Sequence, residues 1–302
     1  MLYRNLSGYL KEKYGRRLSK ICIDGGFSCP NRDGKCGTGG CIFCGERGAG
    51  EHILFAERSI GEQVRRRLDS AAEDELFIAY FQNFTNTYAD VATLRARYDA
   101  ALVDDRIKIL AIGTRPDCIT DEIAELIASY RNMVEVWIEL GLQTASDATA
   151  KIINRGYMTE IFKNAMAILR HHGIKTVVHL MIGLPGEGDA ELAETMDLIE
   201  EVDPFGVKIH SVYVSRGTEL AKMYERGEYD PISFEDYTRR AAYAITRLSP
   251  DTVVHRLTGD CPRELLLAPD WNPKKSEVIA KINENLNTGG HYQGSRYKKG
   301  LS

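Results

Sequence analysis

Six times between residues 20 and 226 a short apolar run gives way to an amphipathic segment, and this alternation restricts the fold more than any other feature of the chain. The runs cover 20–25, 76–83, 107–114, 134–143, 175–183 and 205–214. Helical periodicity follows near 58–73, 90–104, 121–130, 146–172, 188–201 and 218–226. Strands separated by helices imply a parallel sheet with crossover connections. Such a sheet is either open or curled, and one run favours curling. In 135–143 the odd positions are Glu135, Trp137, Glu139, Gly141 and Gln143, while the even ones are Val136, Ile138, Leu140 and Leu142. A strand covered by helices on both faces is apolar throughout. Here one face suits helices and the other suits a wet lumen. His179 likewise stands among apolar neighbours, and Lys208 and His210 alternate with Val207 and Ile209. A buried Lys208 needs a carboxylate, and Glu139 is the candidate. The expected architecture is α/β, a partial TIM barrel (β/α)6 of parallel strands over residues 1–226, preceded by a short basic helix at 7–14. A C-terminal α+β extension, 227–302, is expected to pack on it. There a capping signature, Ser233-Phe-Glu-Asp, opens a helix to 248, a strand covers 252–257, and a helix with Pro at its start covers 272–287. The Gly-, Lys- and Tyr-rich tail from 288 is expected to be mobile.

The loop after the first strand, 26–48, holds the chemistry. Cys22, Cys29, Cys36, Cys41 and Cys44 are five of the chain's seven cysteines. The Cys41/Cys44 pair can share one metal centre, and the glycines around it let the backbone fold over that centre. No apolar targeting or membrane-spanning run is visible, so a cytoplasmic location with reduced thiols is expected. Three readings of the thiols remain. A structural zinc wants four ligands and usually two knuckles, and only one CxxC is present. An iron–sulfur cluster with three cysteines and one open iron can chelate a further molecule. Unliganded thiols are the third. Polar strand ends at 82–86, 113–117, 143–144, 183–187 and 213–215 face the same rim, where parallel α/β folds bind their ligands. The net charge of −4 gives no general attraction for nucleic acid. Residues 1–20 nevertheless carry six Lys/Arg against one Glu, and Arg65–Arg67 and Arg296/Lys298/Lys299 form two further basic groups able to meet phosphates.

A cysteine loop after the first strand, with an aromatic residue before its last cysteine (Phe43-Cys44), resembles the radical S-adenosylmethionine (SAM) superfamily. The spacing departs from the usual CxxxCxxC: eleven residues separate Cys29 from Cys41, and four separate Cys36 from it. The words Gly26-Phe-Ser-Cys29-Pro-Asn-Arg-Asp-Gly34, 79–88, Gly113-Thr-Arg-Pro-Asp117 and Glu139-Leu-Gly-Leu-Gln143 resemble the YhcC/YtqA-type group, similar in pattern to the Elongator catalytic subunit. The resemblance implies a [4Fe-4S] cluster on Cys29, Cys41 and Cys44, with SAM on the open iron and a 5′-deoxyadenosyl radical as the reactive species. It makes Cys36 an extra thiol. It places Gln143 at the SAM ribose, Arg155 at the methionine carboxylate, His179 at a ribose contact, Gln82 and Asn83 where a Gly-Gly pair meets the amino group, and Val212 or Val214 over the adenine. It implies tRNA as substrate, at the C5 side chain of the wobble uridine, and an electron donor such as flavodoxin or ferredoxin. Radical chemistry on a small metabolite or peptide, and a non-catalytic zinc or iron–sulfur binding protein, are the alternatives. Cys22, Cys118 and Cys261 are expected to be core residues.

Overall fold

The computed structural model describes residues 2–48, 53 and 58–298. Seven strands form one parallel sheet that curls into an open half-barrel: β1 (Leu18–Ile23), β2 (Leu76–Phe81), β3 (Ile107–Thr114), β4 (Glu135–Gln143), β5 (Lys175–Ile182), β6 (Gly206–Ser211) and β8 (Val253–Arg256). The first six pair in chain order. The seventh comes from the expected C-terminal extension and continues the sheet beside β6. The run 205–214 is two elements: β6 ends at Ser211, and β7 (Val214–Ser215) leaves the barrel to pair antiparallel with β9 (Leu266–Ala268).

Helices cover the outer face: α2 (Ile60–Asp69), α3 (Val91–Asp99), α4 (Asp121–Ser129), α6 (Thr159–His171), α7 (Asp189–Val202), α9 (Phe234–Arg247) and α10 (Lys275–Thr288), while α5 (Asp147–Ile152) follows β4 and α8 (Glu219–Glu225) packs on Ile42 and Val214. Ser233 caps α9, its side chain accepting from the Asp236 N–H, so the capping signature marks the true start. The even positions of β4 join this outer core with Ile21, Ile112, Leu180 and Ile209. The odd positions face inward, where Trp137 packs with Ile78, Tyr80, Ile109 and Val177. Strand parity thus separates a dry outer core from a lumen.

α1 (Leu6–Tyr14) closes the lumen at the N-terminal ends of the strands. Glu135, the first residue of β4, accepts from Tyr9 (2.6 Å), Tyr14 (2.7 Å), Lys13 (2.6 Å), Lys175 (2.5 Å) and the Trp137 indole (2.9 Å). Burial alone would raise its pKa, but these donors outweigh it and hold it down to about 2. Past α10 the chain folds back: the buried Gln293 donates to Ser249 O and Thr252 O and accepts from Arg4 N. Residues 299–302, Lys299 among them, lie outside the described residues. Among the described residues no helix is long and apolar enough to cross a membrane.

Candidate active site

The cysteine loop starts where β1 ends, and its entry is fixed by amides. Gln63 of α2 accepts from the Asp24 N–H (2.9 Å) and donates to Asp24 O (3.0 Å), while Asn83 donates to the Asp24 carboxylate (2.8 Å). The loop then wraps around Asn31, which is fully buried. Asn31 Nδ2 donates to Asn154 O (2.6 Å) and lies 3.9 Å from Cys41 Sγ. Its side chain fits only because two neighbours lack one: a Cβ on Gly37 would sit 2.1 Å from Asn31 Oδ1, and one on Gly156 2.7 Å. Gly156 also takes φ +81°, a conformation glycine adopts without penalty. Asn154 returns the contact by donating to Gly40 O (2.7 Å), and Ile42 N–H bonds Ile153 O (3.1 Å). The turn between α5 and α6 therefore moulds the cysteine loop.

Cys29, Cys41 and Cys44 open onto one cavity of about 260 Å³ at the C-terminal ends of the strands. Cys36 does not line it; it is exposed, 3.6 Å from Arg115 Nη2 and 3.7 Å from Asp117 Oδ2. The Cys41 and Cys44 thiols are hydrogen-bonded to each other, which raises the pKa of Cys41 and lowers that of Cys44. Among the described residues no three His, Cys, Asp or Glu side chains are arranged around a single metal ion. A mononuclear zinc requires that arrangement. A cubane does not, because each thiolate binds a different iron. Three thiols on one wall, with no fourth cysteine lining the cavity, suit a cluster with one iron left open.

The cavity wall includes Phe43, Gln82, Gln143, Arg155 and His179 from the expected set, with Tyr80, Thr85, Arg115, Tyr157, Met181, Lys208, His210, Tyr213 and Arg256. Gln143 ends β4 at φ +66°, just past a register shift against β5. Asn83 is buried against Asp24 and is not in the wall. Val212 and Val214 are not there either: both are buried with Ile42, Leu184 and Leu220, because the chain leaves the sheet after Ser211 and parity no longer aims them inward. Tyr213, between them, lines the cavity.

Arg155 departs most from the expectation of a carboxylate ligand. Its guanidinium is fully buried, and all five of its N–H donors are taken. Nε donates to Tyr157 O (3.0 Å), Nη1 to Leu142 O (2.8 Å) and Thr144 O (2.7 Å), and Nη2 to Asp147 (3.3 Å) and Thr159 (3.2 Å). It pins the end of β4 to the start of α6 and has no donor left for a ligand. Arg115 is held similarly, in a two-point pair with Asp117 (2.9 and 2.7 Å) and on Arg155 O (2.9 Å).

Deeper in the lumen, Glu139 Oε2 accepts from Lys208 Nζ and lies 3.0 Å from His179 Nε2. The pairing expected from parity is present, and His179 joins it. Both Glu139 and Lys208 are 2 % exposed. Burial would raise the Glu139 pKa, but Lys208 and His179 outweigh it and hold it well down. Burial pushes Lys208 down to about 7, with Lys20 and Arg256 adding to the effect and Glu139 opposing it. Burial and Lys208 lower His179 to about 4, so the imidazole is neutral at pH 7. Arg115 and Asn31 stand inside words read from the sequence, but nothing in those words announces their partners. Arg256 lies on the seventh strand, outside the six-unit alternation.

Of the six N-terminal cations, Arg4, Lys13 and Arg16 lie beside Glu12 and Asp251, Glu135, and Asp74, and Lys20 points into the lumen. Arg67 pairs with Glu75 at 2.6 Å. These contacts leave less open basic surface for phosphates than the sequence count implies.

Known proteins resemble the chain over almost all of its length. The family profile described as the Radical SAM superfamily matches residues 34–199, and the Radical_SAM C-terminal domain matches 204–288. YtqA of Bacillus subtilis is 36% identical over 98% of this chain and 93% of its own, and YhcC of Escherichia coli is 38% identical over 97% and 95%. A tRNA uridine(34) acetyltransferase of Methanocaldococcus jannaschii is 31% identical over 60% of this chain and 34% of its own. Among solved structures, Elp3 of Methanocaldococcus infernus superposes with a TM-score of 0.70 at 19% identity, over 91% of this chain and 64% of that one, a likeness of fold.

Proposed function

Because the chain belongs to the radical SAM superfamily, whose enzymes bind a [4Fe-4S] cluster and SAM, we propose that Cys29, Cys41 and Cys44 hold the cluster and that the enzyme modifies the C5 side chain of a tRNA wobble uridine. The observation that carries the cluster assignment is the opening of these three thiols, and no fourth, onto one cavity while Cys36 stands outside it. Held by Cys29, Cys41 and Cys44 and beside Gln143 and His179, the cluster and SAM would supply one-electron radical chemistry for hydrogen abstraction. The electron comes from a donor of the flavodoxin or ferredoxin type.

The chain's own residues bind and orient. Phe43, Gln82, Gln143 and His179 lie along the wall beside the thiols and are the SAM contacts in this reading. Arg155 acts through the backbone, fixing Leu142 O and Thr144 O so that Gln143 between them faces the cavity. Glu139 and Lys208 hold His179 in place. The curled sheet and α1 exclude water from three sides, which protects a reactive carbon radical.

The tRNA half of the proposal is supported by the M. jannaschii relative, named a tRNA uridine(34) acetyltransferase, which is 31% identical over 60% of this chain and 34% of its own. A small metabolite or peptide is the second reading, favoured by a lumen closed at its base. Anaerobic reconstitution tests the first half: wild type and Cys36→Ala take up about four iron and four sulfide per chain, and Cys29→Ala does not. Retention of the cluster by Cys29→Ala and its loss from Cys36→Ala refutes the ligand assignment. Nucleoside analysis of tRNA from cells lacking the gene tests the second: unchanged wobble nucleosides remove tRNA from consideration.

A further inference from the structure

The floor of the cavity carries more positive than negative charge. Lys208 on β6 and Arg256 on β8 line it, and behind the wall Lys20 on β1 holds its ammonium 5.4 Å over the ring of Tyr80. Two carboxylates face them. Glu139 is committed, with Oε2 engaged by Lys208 and His179. Asp260 is held by Lys275 at 2.6 Å and reaches Arg256 only at 3.8 Å. Among the described residues the Lys20 ammonium makes no hydrogen bond. β1 and β8 are the two edge strands, so Lys20 and Arg256 approach across the seam of the half-barrel, close enough to repel.

A second observation comes from a neutral group. His210 lines the same cavity, its ring 5.2 Å from that of His179, and its buried Nε2 has no hydrogen-bond partner. Buried polar atoms without partners are rare in folded proteins, and they collect where a ligand completes the network. A network built only for stability pairs each buried cation with an acid. Here a buried imidazole nitrogen has no partner, and beside it on the next strand Arg256, 30% exposed, has one long ion pair among the described residues.

We propose that this floor is an oxyanion subsite in which Arg256, Lys208 and His210 hold a carboxylate or phosphate of the molecule attacked by the radical. The proposal rests on the radical SAM reading and specifies its substrate class: an anionic group enters the lumen, whether on a free metabolite or on a side chain already attached to a base. The guanidinium offers a planar pair of N–H groups. Lys208 has three N–H donors, two of them directed at Glu139 and Tyr80, which leaves the third. The Nε2–H tautomer of His210 donates a neutral hydrogen bond. The anion also restores charge to Lys208, which burial otherwise drives toward neutrality near pH 7.

The test is anaerobic calorimetric titration of the cluster-loaded enzyme with inorganic phosphate and, separately, with acetate. Wild type binds at least one of them saturably, and the stronger of the two identifies the substrate group as phosphate or carboxylate. Arg256→Gln is the chosen variant, because its side chain is 30% exposed and its one ion pair among the described residues is long, so the fold survives, as circular dichroism checks. It weakens anion binding by about tenfold, the value of one charge-assisted hydrogen bond, while affinity for SAM stays as in wild type. Absence of saturable anion binding, equal binding by Arg256→Gln, or a loss that falls on SAM instead overturns the proposal. Formation of 5′-deoxyadenosine by wild type with dithionite is measured in parallel. Protein that forms it but binds no anion refutes the subsite alone; protein that binds the anion but forms none refutes the radical reading beneath it.

Discussion

Removing Lys208 while leaving Glu139 puts a number on the buried ion pair. Each side chain is almost fully enclosed, at 2% and 1% exposure. In Lys208→Met the carboxylate keeps His179 and Tyr80 but loses its one close cation. Breaking a buried pair from one side costs about 3–5 kcal/mol, because the remaining charge is desolvated without compensation. His179 modulates that cost. Lys208 is one of the causes of its depressed pKa and Glu139 opposes the depression, so without Lys208 the imidazole takes up a proton more readily. At pH 8 it stays neutral and the full loss appears; at pH 5.5 His179 becomes the counter-ion and the loss shrinks. The double variant Glu139→Gln/Lys208→Met removes both charges and recovers most of the stability, giving a coupling energy of about 2 kcal/mol or more. Urea unfolding of cluster-free protein, followed by circular dichroism and by the fluorescence of Trp137 and Trp271, measures these differences once the two probes coincide. A loss below about 1 kcal/mol at pH 8, or the same loss at both pH values, refutes the reasoning.

Other outcomes follow from features at the two ends of the barrel. Glu135 titrates near 2 when folded and near 4.3 when unfolded, so its stabilisation is complete above that unfolded value and is lost as pH falls toward 2; the amount is about 3 kcal/mol, and Glu135→Gln flattens that part of an acid-denaturation curve. Gly37→Ala drives a Cβ into Asn31 Oδ1 and costs about 1–3 kcal/mol of stability, read by thermal unfolding, together with reduced iron uptake on reconstitution. Arg155→Lys replaces five forked donors by three and frees the turn after β4; iron uptake falls and SAM binding weakens, whereas a direct carboxylate contact predicts loss of SAM affinity with iron content intact.

Strand parity accounts for most of what the sequence made legible. Once Glu139 and Lys208 are placed on inward faces of their strands, burial obliges them to meet, and they do. Parity also explains where that reading stops. Val212 follows the last residue of β6, so the alternation that would aim it at the cavity has already ended. The seventh strand was visible as an apolar run at 252–257, but its partner is some fifty residues earlier, and no local pattern names a strand's neighbour. Arg155 shows a different limit. Its residue type suits a carboxylate, yet three backbone carbonyls with Asp147 and Thr159 consume the donors, and backbone carbonyls have no sequence signature. Asn31 was readable only as part of a word; its importance lies in Gly37 and Gly156, which approach it from two loops.

The seal at Glu135 sets the order of traffic through the barrel. Five donors from α1, β4 and β5 converge on one carboxylate and close the base, so nothing enters the lumen from the N-terminal ends of the strands. Whatever occupies the floor near Lys208 lies farther in than a molecule held beside Cys29, Cys41 and Cys44. An occupant of the proposed anion subsite would then bind before SAM and leave after it. Steady-state kinetics of such a chamber are ordered, and a dead-end analogue of SAM, loaded first, blocks the second molecule without competing for its contacts.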